Sequence, residues 1–309
     1  MTNKPADILK ELHKEVERFT NDGELKNYLD FTGKFINRSF NNQMLIYMAK
    51  PEATFVKGYK QWIDELKRIP VACTDCRSIS NKACECAERQ APTRIVQLAP
   101  MIKKTEVDGK EKENLFFRSV YVFDISDTEP MEGAKDIPNI VNNLEVDIDN
   151  AAEVESMFTK LIKDNGFNFR YDTWGDADLG GWCDPVKKEI VVAEDRPKAQ
   201  QIRTMIHEIA HMFAHVSQDD FNSKKPRDLV EVEAESIAYT VSKMIGLDAS
   251  AYSVGYVGIW NSRGDDNLKK SMETVIKTAQ KIMELLEKEE TDGLKENLLS
   301  NQGVIKLNV

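Results

Sequence analysis

The sequence predicts a two-domain α+β protein. N-terminal helices with a small antiparallel sheet carry a Cys-rich insertion, and C-terminal helices with a short sheet follow. Three observations point there. The chain has 309 residues, more than a typical single domain holds. Strand-like runs cluster ahead of residue 132 and again between 167 and 193, with helical periodicity before, between and after them. Residues 133–150 contain Gly133, Pro138 and several Asn and Asp, the composition of a linker. The expected domains are therefore 1–132 and 151–309.

Taken in order, residues 6–30 read as an amphipathic helix, with Ile8, Leu9, Leu12, Val16 and Phe19 at helical spacing. Residues 31–49 read as a second helix ending in Met44-Leu45-Ile46-Tyr47-Met48 and stopped by Pro51. Residues 55–66 suggest a turn and a short helix with Tyr59 and Trp62. Strands are expected at 69–72, 94–98 and 116–123, and the charged stretch 103–114 reads as a solvated loop. In the second half, residues 151–165 form a helix ended by Gly166, and strands follow at 167–171 and 189–193. Helices are expected at 196–216, at 229–245 with Gly246 at its C′ position, and at 267–289. No internal repeat is present.

The formal net charge is −10, which argues against non-specific duplex binding by the whole chain. Basic and acidic residues balance over 1–132, so the acidic excess lies in the second half, and a local basic groove in the first half remains compatible. No apolar stretch approaches the roughly 18 residues that span a bilayer. No apolar h-region follows Met1-Thr2-Asn3-Lys4-Pro5, so no secretory signal is expected. Four of the five cysteines cluster at metal-like rather than disulfide-like spacing. The expected location is the cytoplasm, without a membrane partner.

The strongest chemical signal is His207-Glu208-Ile209-Ala210-His211. On a helix the two histidines lie one turn apart on one face and can share a metal ion, with Glu208 beside the first to act on a metal-bound water. A catalytic zinc takes three protein ligands and leaves one position for water. His215 lies two turns from His207, roughly 12 Å along a straight helix, and reads as a supporting or packing residue. The third ligand is expected from Leu229-Val230-Glu231-Val232-Glu233-Ala234-Glu235. Glu231 and Glu235 share a helix face, and Glu233 points away from them. Glu231 is the expected ligand and Glu235 the alternative. With Glu231 as ligand, Glu235 accepts the distal N–H of a ligand histidine. In the bland reading all three glutamates are simply a solvated helix face. Glu208 is the expected general base.

These residues resemble the zincin domain of ImmA/IrrE-type and ArdC-type proteins. The shared pieces are His207-Glu208-Ile209-Ala210-His211, the Glu231-x-x-Ala234-Glu235 helix, and the run from Gly180-Gly181-Trp182-Cys183-Asp184 to Val191. The first half resembles the single-stranded-DNA-binding module of ArdC antirestriction proteins. The matching runs are Phe40-Asn41-Asn42-Gln43-Met44-Leu45-Ile46, Pro51 to Tyr59 with Trp62, and Val122 to Glu129. The resemblance implies a zincin-like metallopeptidase domain with Zn2+, carriage by a mobile element or phage, and exposure to incoming single strands. Single strands are held by positive charge and aromatic stacking platforms. Arg38, Asn41, Asn42, Lys57 and Tyr59 are the candidate DNA contacts, and at least half of the aromatics are expected in the core.

One departure from that resemblance stands out. About twenty residues, with Cys73, Cys76, Cys84 and Cys86, replace a short turn between the strands at 69–72 and 94–98. Four cysteines over 73–86 read as a structural zinc knuckle, with free thiols or a redox pair as the alternatives. Cys183 reads as a lone buried thiol.

Three functions compete on this sequence. The first is a single-stranded-DNA-associated zinc metallopeptidase acting on a protein substrate, in an antirestriction role. The second is an ImmA/IrrE-like peptidase acting on a repressor, with the N-terminal domain as a protein adaptor. The third is a non-catalytic DNA-binding protein with a structural metal.

Overall fold

A computed structural model of the protein describes residues 4–16, 22–107, 110–134, 151–174, 179–216, 225–247 and 265–288. The chain divides into two compact units. One comprises Met1–Arg18 and Arg38–Ile137, the other Phe19–Asn37 and Pro138–Val309. The linker expected at 133–150 falls, from residue 135 on, outside the described residues. The helix expected over 6–30 is instead two, α1 (Pro5–Val16) and α2 (Asp22–Lys34), and they belong to different units. α2 begins inside Asn21-Asp22-Gly23, residues that start and break helices.

The first unit contains α1, α3 (Phe40–Ala49), β1 (Val56–Gly58), α4 (Tyr59–Asp64), β2 (Arg68–Pro70), β3 (Ile95–Val107), β4 (Lys110–Asp124) and β5 (Thr128–Pro130). An antiparallel sheet runs in the order β1-β4-β3, and β2 pairs antiparallel with β5. The stretch 103–114, expected to be a loop, is strand, because the β3–β4 ladder continues to Val107↔Lys110. Its register sets Lys104 opposite Glu113.

Buried Asp124 ties this unit together. Its carboxylate accepts the N–H groups of Thr54 (2.8 Å), Phe55 (3.0 Å) and Ser126 (3.0 Å). The Trp62 indole N–H donates to Phe123 O at 3.0 Å, so α4 is fixed to β4. Phe40, Met44, Ile46, Trp62, Val56, Ile95 and Val122 form the core.

The second unit contains α2, α5 (Ala151–Asp164), β6 (Asn168–Asp172), β7 (Gly181–Asp184), β8 (Glu189–Ala193), α6 (Lys198–Ala214), α7 (Arg227–Met244) and α8 (Asp265–Lys288). Its sheet runs β6-β8-β7, with β6 parallel and β7 antiparallel to β8, which leaves β7 at an edge. β8 carries Ile190, Val191 and Val192 into the core, and the apolar stripe of α6 (Ile202, Met205, Ile206, Ile209) is buried with them. α7 packs on α6, α8 and α2, and Tyr239 Oη donates to Asp30 Oδ1 at 2.6 Å.

α5 and α7 both end in a glycine at positive φ, Gly166 (80°) and Gly246 (76°). In α7 the N–H of Gly246 reaches Lys243 O and that of Leu247 reaches Ser242 O, a Schellman stop that satisfies carbonyls left over at the helix end. Among the described residues no helix is long and apolar enough to cross a membrane.

Candidate metal centre

α6 is held by its buried stripe, so its opposite side is fixed too. That side presents His207 and His211 one turn apart, with Nε2 atoms 3.0 Å from each other. α7 brings Glu231 to both: its Oε2 lies 3.5 Å from His207 Nε2 and 3.4 Å from His211 Nε2. Zinc–ligand bonds of about 2.0–2.1 Å at tetrahedral angles separate donor atoms by about 3.3 Å. Two imidazole nitrogens and one carboxylate oxygen at these spacings fit one divalent cation of the zinc type, and these three residues form one of the metal-capable clusters among the described residues.

The surroundings prepare the rings. His207 Nδ1 lies 3.0 Å from Glu235 Oε2. A proton on Nδ1 directed at that carboxylate leaves the Nε2 lone pair for metal. Burial disfavours the charged ring of His207, but the bonds to Glu231 and Glu235 outweigh it and lift its pKa to about 10. Two carboxylates facing this ring, Glu231 and Glu235, make the position attractive to a cation. Desolvation lowers the pKa of His211, so that ring stays neutral and fit for ligation. The bonds from both histidines hold the Glu231 carboxyl well below the usual range.

Glu208 is 6% exposed and sits under β7. Burial pushes its pKa up to about 7, opposed in part by His207 and by the Cys183 backbone N–H, which donates to its carboxylate. β7 lies this close because of Gly181. A Cβ there would come within 2.6 Å of Val191 O and 2.7 Å of Thr204 Cγ2. A cleft of about 1040 Å³ opens over the histidines, lined also by Trp182, Arg203 and Lys225.

His215 is not in the cluster. Its Nδ1 lies 3.2 Å from His211 Nδ1, and its Nε2 lies 2.9 Å from Glu233 Oε2, which also accepts from Lys225 Nζ at 2.6 Å. Glu233 is fully buried. Sequence reasoning gave Glu233 and Lys225 no role. The signal was available, because Glu233 lies beside Ala234 and one turn from Ile237 on the apolar side of α7, and a carboxylate there requires partners.

In the first unit the four cysteines converge. Cys73 Sγ lies 3.8 Å from Cys86 Sγ and Cys76 Sγ lies 3.6 Å from Cys84 Sγ, with all four sulfurs within 4.8 Å of one another. Zn–S bonds of about 2.3 Å imply tetrahedral S···S spacings of about 3.8 Å, so this donor set also fits zinc. The Cys76 backbone N–H is the largest influence on the Cys73 thiol and helps bring its pKa to about 6, while hydrogen bonds with Cys76 and Cys73 push Cys86 up to about 12. Arg77 anchors the knuckle, donating to Ser126 O (2.6 Å), Thr128 O (2.7 Å) and Glu129 Oε1 (2.5 Å). Cys183 is half-buried, and burial raises its thiol to about 12.

The candidate DNA contacts separate. Tyr59 is 51% exposed, while Lys57 is 5% exposed, its pKa lowered by burial and by Arg38. Arg38 donates to Val56 O at 3.5 Å. Asn42 donates to Leu98 O (3.1 Å) and accepts from Leu98 N–H (2.8 Å), which joins α3 to β3. The Asn41 Oδ1 atom is buried without a hydrogen-bond partner.

Residues 162–242, from the end of α5 through most of α7, match the family model described as the IrrE N-terminal-like domain, Peptidase M78. Over 91% of its length the chain is similar, at 24% identity, to an uncharacterized protein of Bacillus anthracis, pXO2-81. The chain spans about half the length of that curated relative. Among solved structures it is similar to the antirestriction protein ArdC from the R388 plasmid, in metal-free and Mn(II)-bound forms. Each shares 17% identity, covers 82% of this chain and 86% of the other, and has a TM-score of 0.47 or 0.48.

Proposed function

We propose that the chain is a zinc metallopeptidase that acts on a protein substrate in association with single-stranded DNA. The observation that carries the peptidase reading is the convergence of His207, His211 and Glu231 at zinc-like donor spacing beside buried Glu208, beneath an edge strand. His207, His211 and Glu231 would hold a zinc ion, which would supply Lewis-acid polarisation of a carbonyl and a water of near-neutral pKa. Glu208 takes the proton of the attacking water and returns it to the leaving amine. Cys183 N–H keeps that carboxylate aimed, and Glu235 holds His207 in its ligating tautomer. An extended peptide adds to the open edge of β7, the usual way a strand edge captures a chain.

The single-strand reading rests on the resemblance of residues 40–62 and 122–129 and on exposed Tyr59 as a stacking platform. With it come the finer elements of the reading: a cytoplasmic antirestriction role for a protein of a mobile element or phage, and a second, structural Zn2+ on Cys73, Cys76, Cys84 and Cys86. A second reading keeps the peptidase and makes the first unit a protein adaptor, for instance for a repressor. It is favoured by the family match, which lies wholly within residues 162–242.

Metal analysis of the purified protein tests the centre. Two zinc ions per chain are expected, falling to one in His207→Ala and to one in Cys73→Ser. Wild-type protein without zinc after zinc-supplemented expression overturns the reading. Glu208→Gln is expected to keep both metals and lose cleavage, and antirestriction activity unchanged by it would favour pure binding. Salt-dependent binding of oligonucleotides separates the DNA-associated form from the adaptor form.

A further inference from the structure

We propose that a cleft in the first unit, between the cysteine knuckle and one face of the β1-β4-β3 sheet, seats an unpaired base of single-stranded DNA. This rests on the single-strand reading above and gives it a location. The cleft measures about 430 Å³, within the range of about 300–1,000 Å³ usual for small-ligand sites. Tyr121 and Phe123 line it from β4. They are two residues apart and so share a face of the sheet. Arg94 enters just ahead of the Ile95↔Val122 pair, and Tyr59 follows the Gly58↔Val122 pair on the other side of β4. Ile79 and Arg89 of the knuckle complete the lining opposite.

Several features select the occupant. Tyr59 (51%), Tyr121 (41%) and Ile79 (55%) are large apolar groups left in water, and they are gathered in one concavity rather than scattered. The lining holds two guanidinium groups and no carboxylate, on a chain of net charge −10. Flat aromatic faces beside guanidinium groups suit a planar base attached to a phosphate. Duplex bases have both faces covered by their neighbours, so only an unpaired base can enter. An acidic peptide brings carboxylates to the arginines but no flat face to set against Tyr59 and Tyr121.

The knuckle wall is built rather than incidental. Thr74 N–H donates to Gln90 O at 2.8 Å beside Arg89, and the Arg77 guanidinium fixes the preceding turn to β5. Metal on the four sulfurs would lock Ile79 and Arg89 in place, since both lie within or next to the segment that the cysteines close.

The test uses the full chain and a fluorescein-labelled oligothymidylate, read by anisotropy at several salt concentrations. Tyr59→Ala and Tyr121→Ala are each expected to weaken binding by at least about fivefold, the loss of one stacked base. Arg94→Gln is expected to reduce the slope of log K against log salt by about 0.7. Phe116→Ala, also at an exposed aromatic on β4 but on the other face of the sheet, is expected to bind as wild type, and all four variants to keep the wild-type melting midpoint. An oligonucleotide carrying 2-aminopurine is expected to be quenched by wild type and not by the tyrosine variants. If wild type binds no oligonucleotide, the single-strand reading itself falls. If wild type binds and the tyrosine variants bind equally well, DNA lies elsewhere and only the cleft proposal falls. Equal weakening by Phe116→Ala also overturns it, as do tyrosine variants that lose a bound peptide while keeping the oligonucleotide.

Discussion

The Nδ1 atoms of His211 and His215 lie 3.2 Å apart. Once His211 ligates through Nε2, its only proton sits on Nδ1 and donates to His215, whose own proton is then on Nε2 and donates to Glu233 2.9 Å away. Two neutral rings are thereby set in single tautomers by one buried carboxylate. His215→Ala should therefore lower zinc affinity at the histidine site by about 10–100-fold, the usual cost of losing a ligand's supporting partner. Competition with a graded zinc chelator measures this. Unchanged affinity would reduce His215 to packing.

Glu235 plays the matching part for His207, and its test is a comparison of two variants. Glu235→Gln retains a carbonyl oxygen that can accept the Nδ1 proton, so zinc affinity should fall only slightly. Glu235→Ala removes the acceptor and should fall by about 10–100-fold. Equal losses in both would point to the charge of Glu235, not its hydrogen bond, as the operative feature.

The centre was legible because its spacing is covalent. His207 and His211 are one helical turn apart wherever α6 lies, and Glu231 and Glu235 are one turn apart on α7. The Cys73–Cys86 run was legible for the same reason. What sequence left out depends on packing between elements. The burial of Glu233 and Lys57 is decided by neighbours distant in sequence, and the Cys183 N–H on Glu208 exists only because β7 closes on α6. Charge over 103–114 reads as loop, yet β3 and β4 pair through it, because a ladder needs only backbone partners.

Gly181 sets the distance between β7 and α6. An added methyl meets a backbone oxygen, Val191 O at 2.6 Å, and a backbone atom cannot swing aside as a long side chain would. Gly181→Ala should cost about 1–3 kcal/mol by overpacking. Lifting β7 also withdraws the Cys183 N–H from Glu208, so peptidase activity should fall further than stability does, while zinc content stays at wild-type level. Urea denaturation and metal analysis on one preparation separate the two effects. A variant with full activity and lowered stability would sever β7 from the chemistry.

Asn42 stands in a run that suggested nucleic-acid contact, yet its amide is engaged at both ends by Leu98, donating to the carbonyl and accepting from the N–H. Such a pairing mimics one rung of a sheet and fastens α3 to β3. Asn42→Ala should orphan both backbone groups at about 1–3 kcal/mol for each that stays buried. Asn42→Asp should lose less, since a carboxylate still accepts the Leu98 N–H while its donor to the carbonyl is gone. The urea midpoint of the first unit should therefore rank wild type above Asp above Ala. Because the side chain serves the fold, oligonucleotide affinity of the folded variants should change little. An Asn42→Ala protein of wild-type stability with weakened oligonucleotide binding would reverse the assignment and return this residue to the DNA surface.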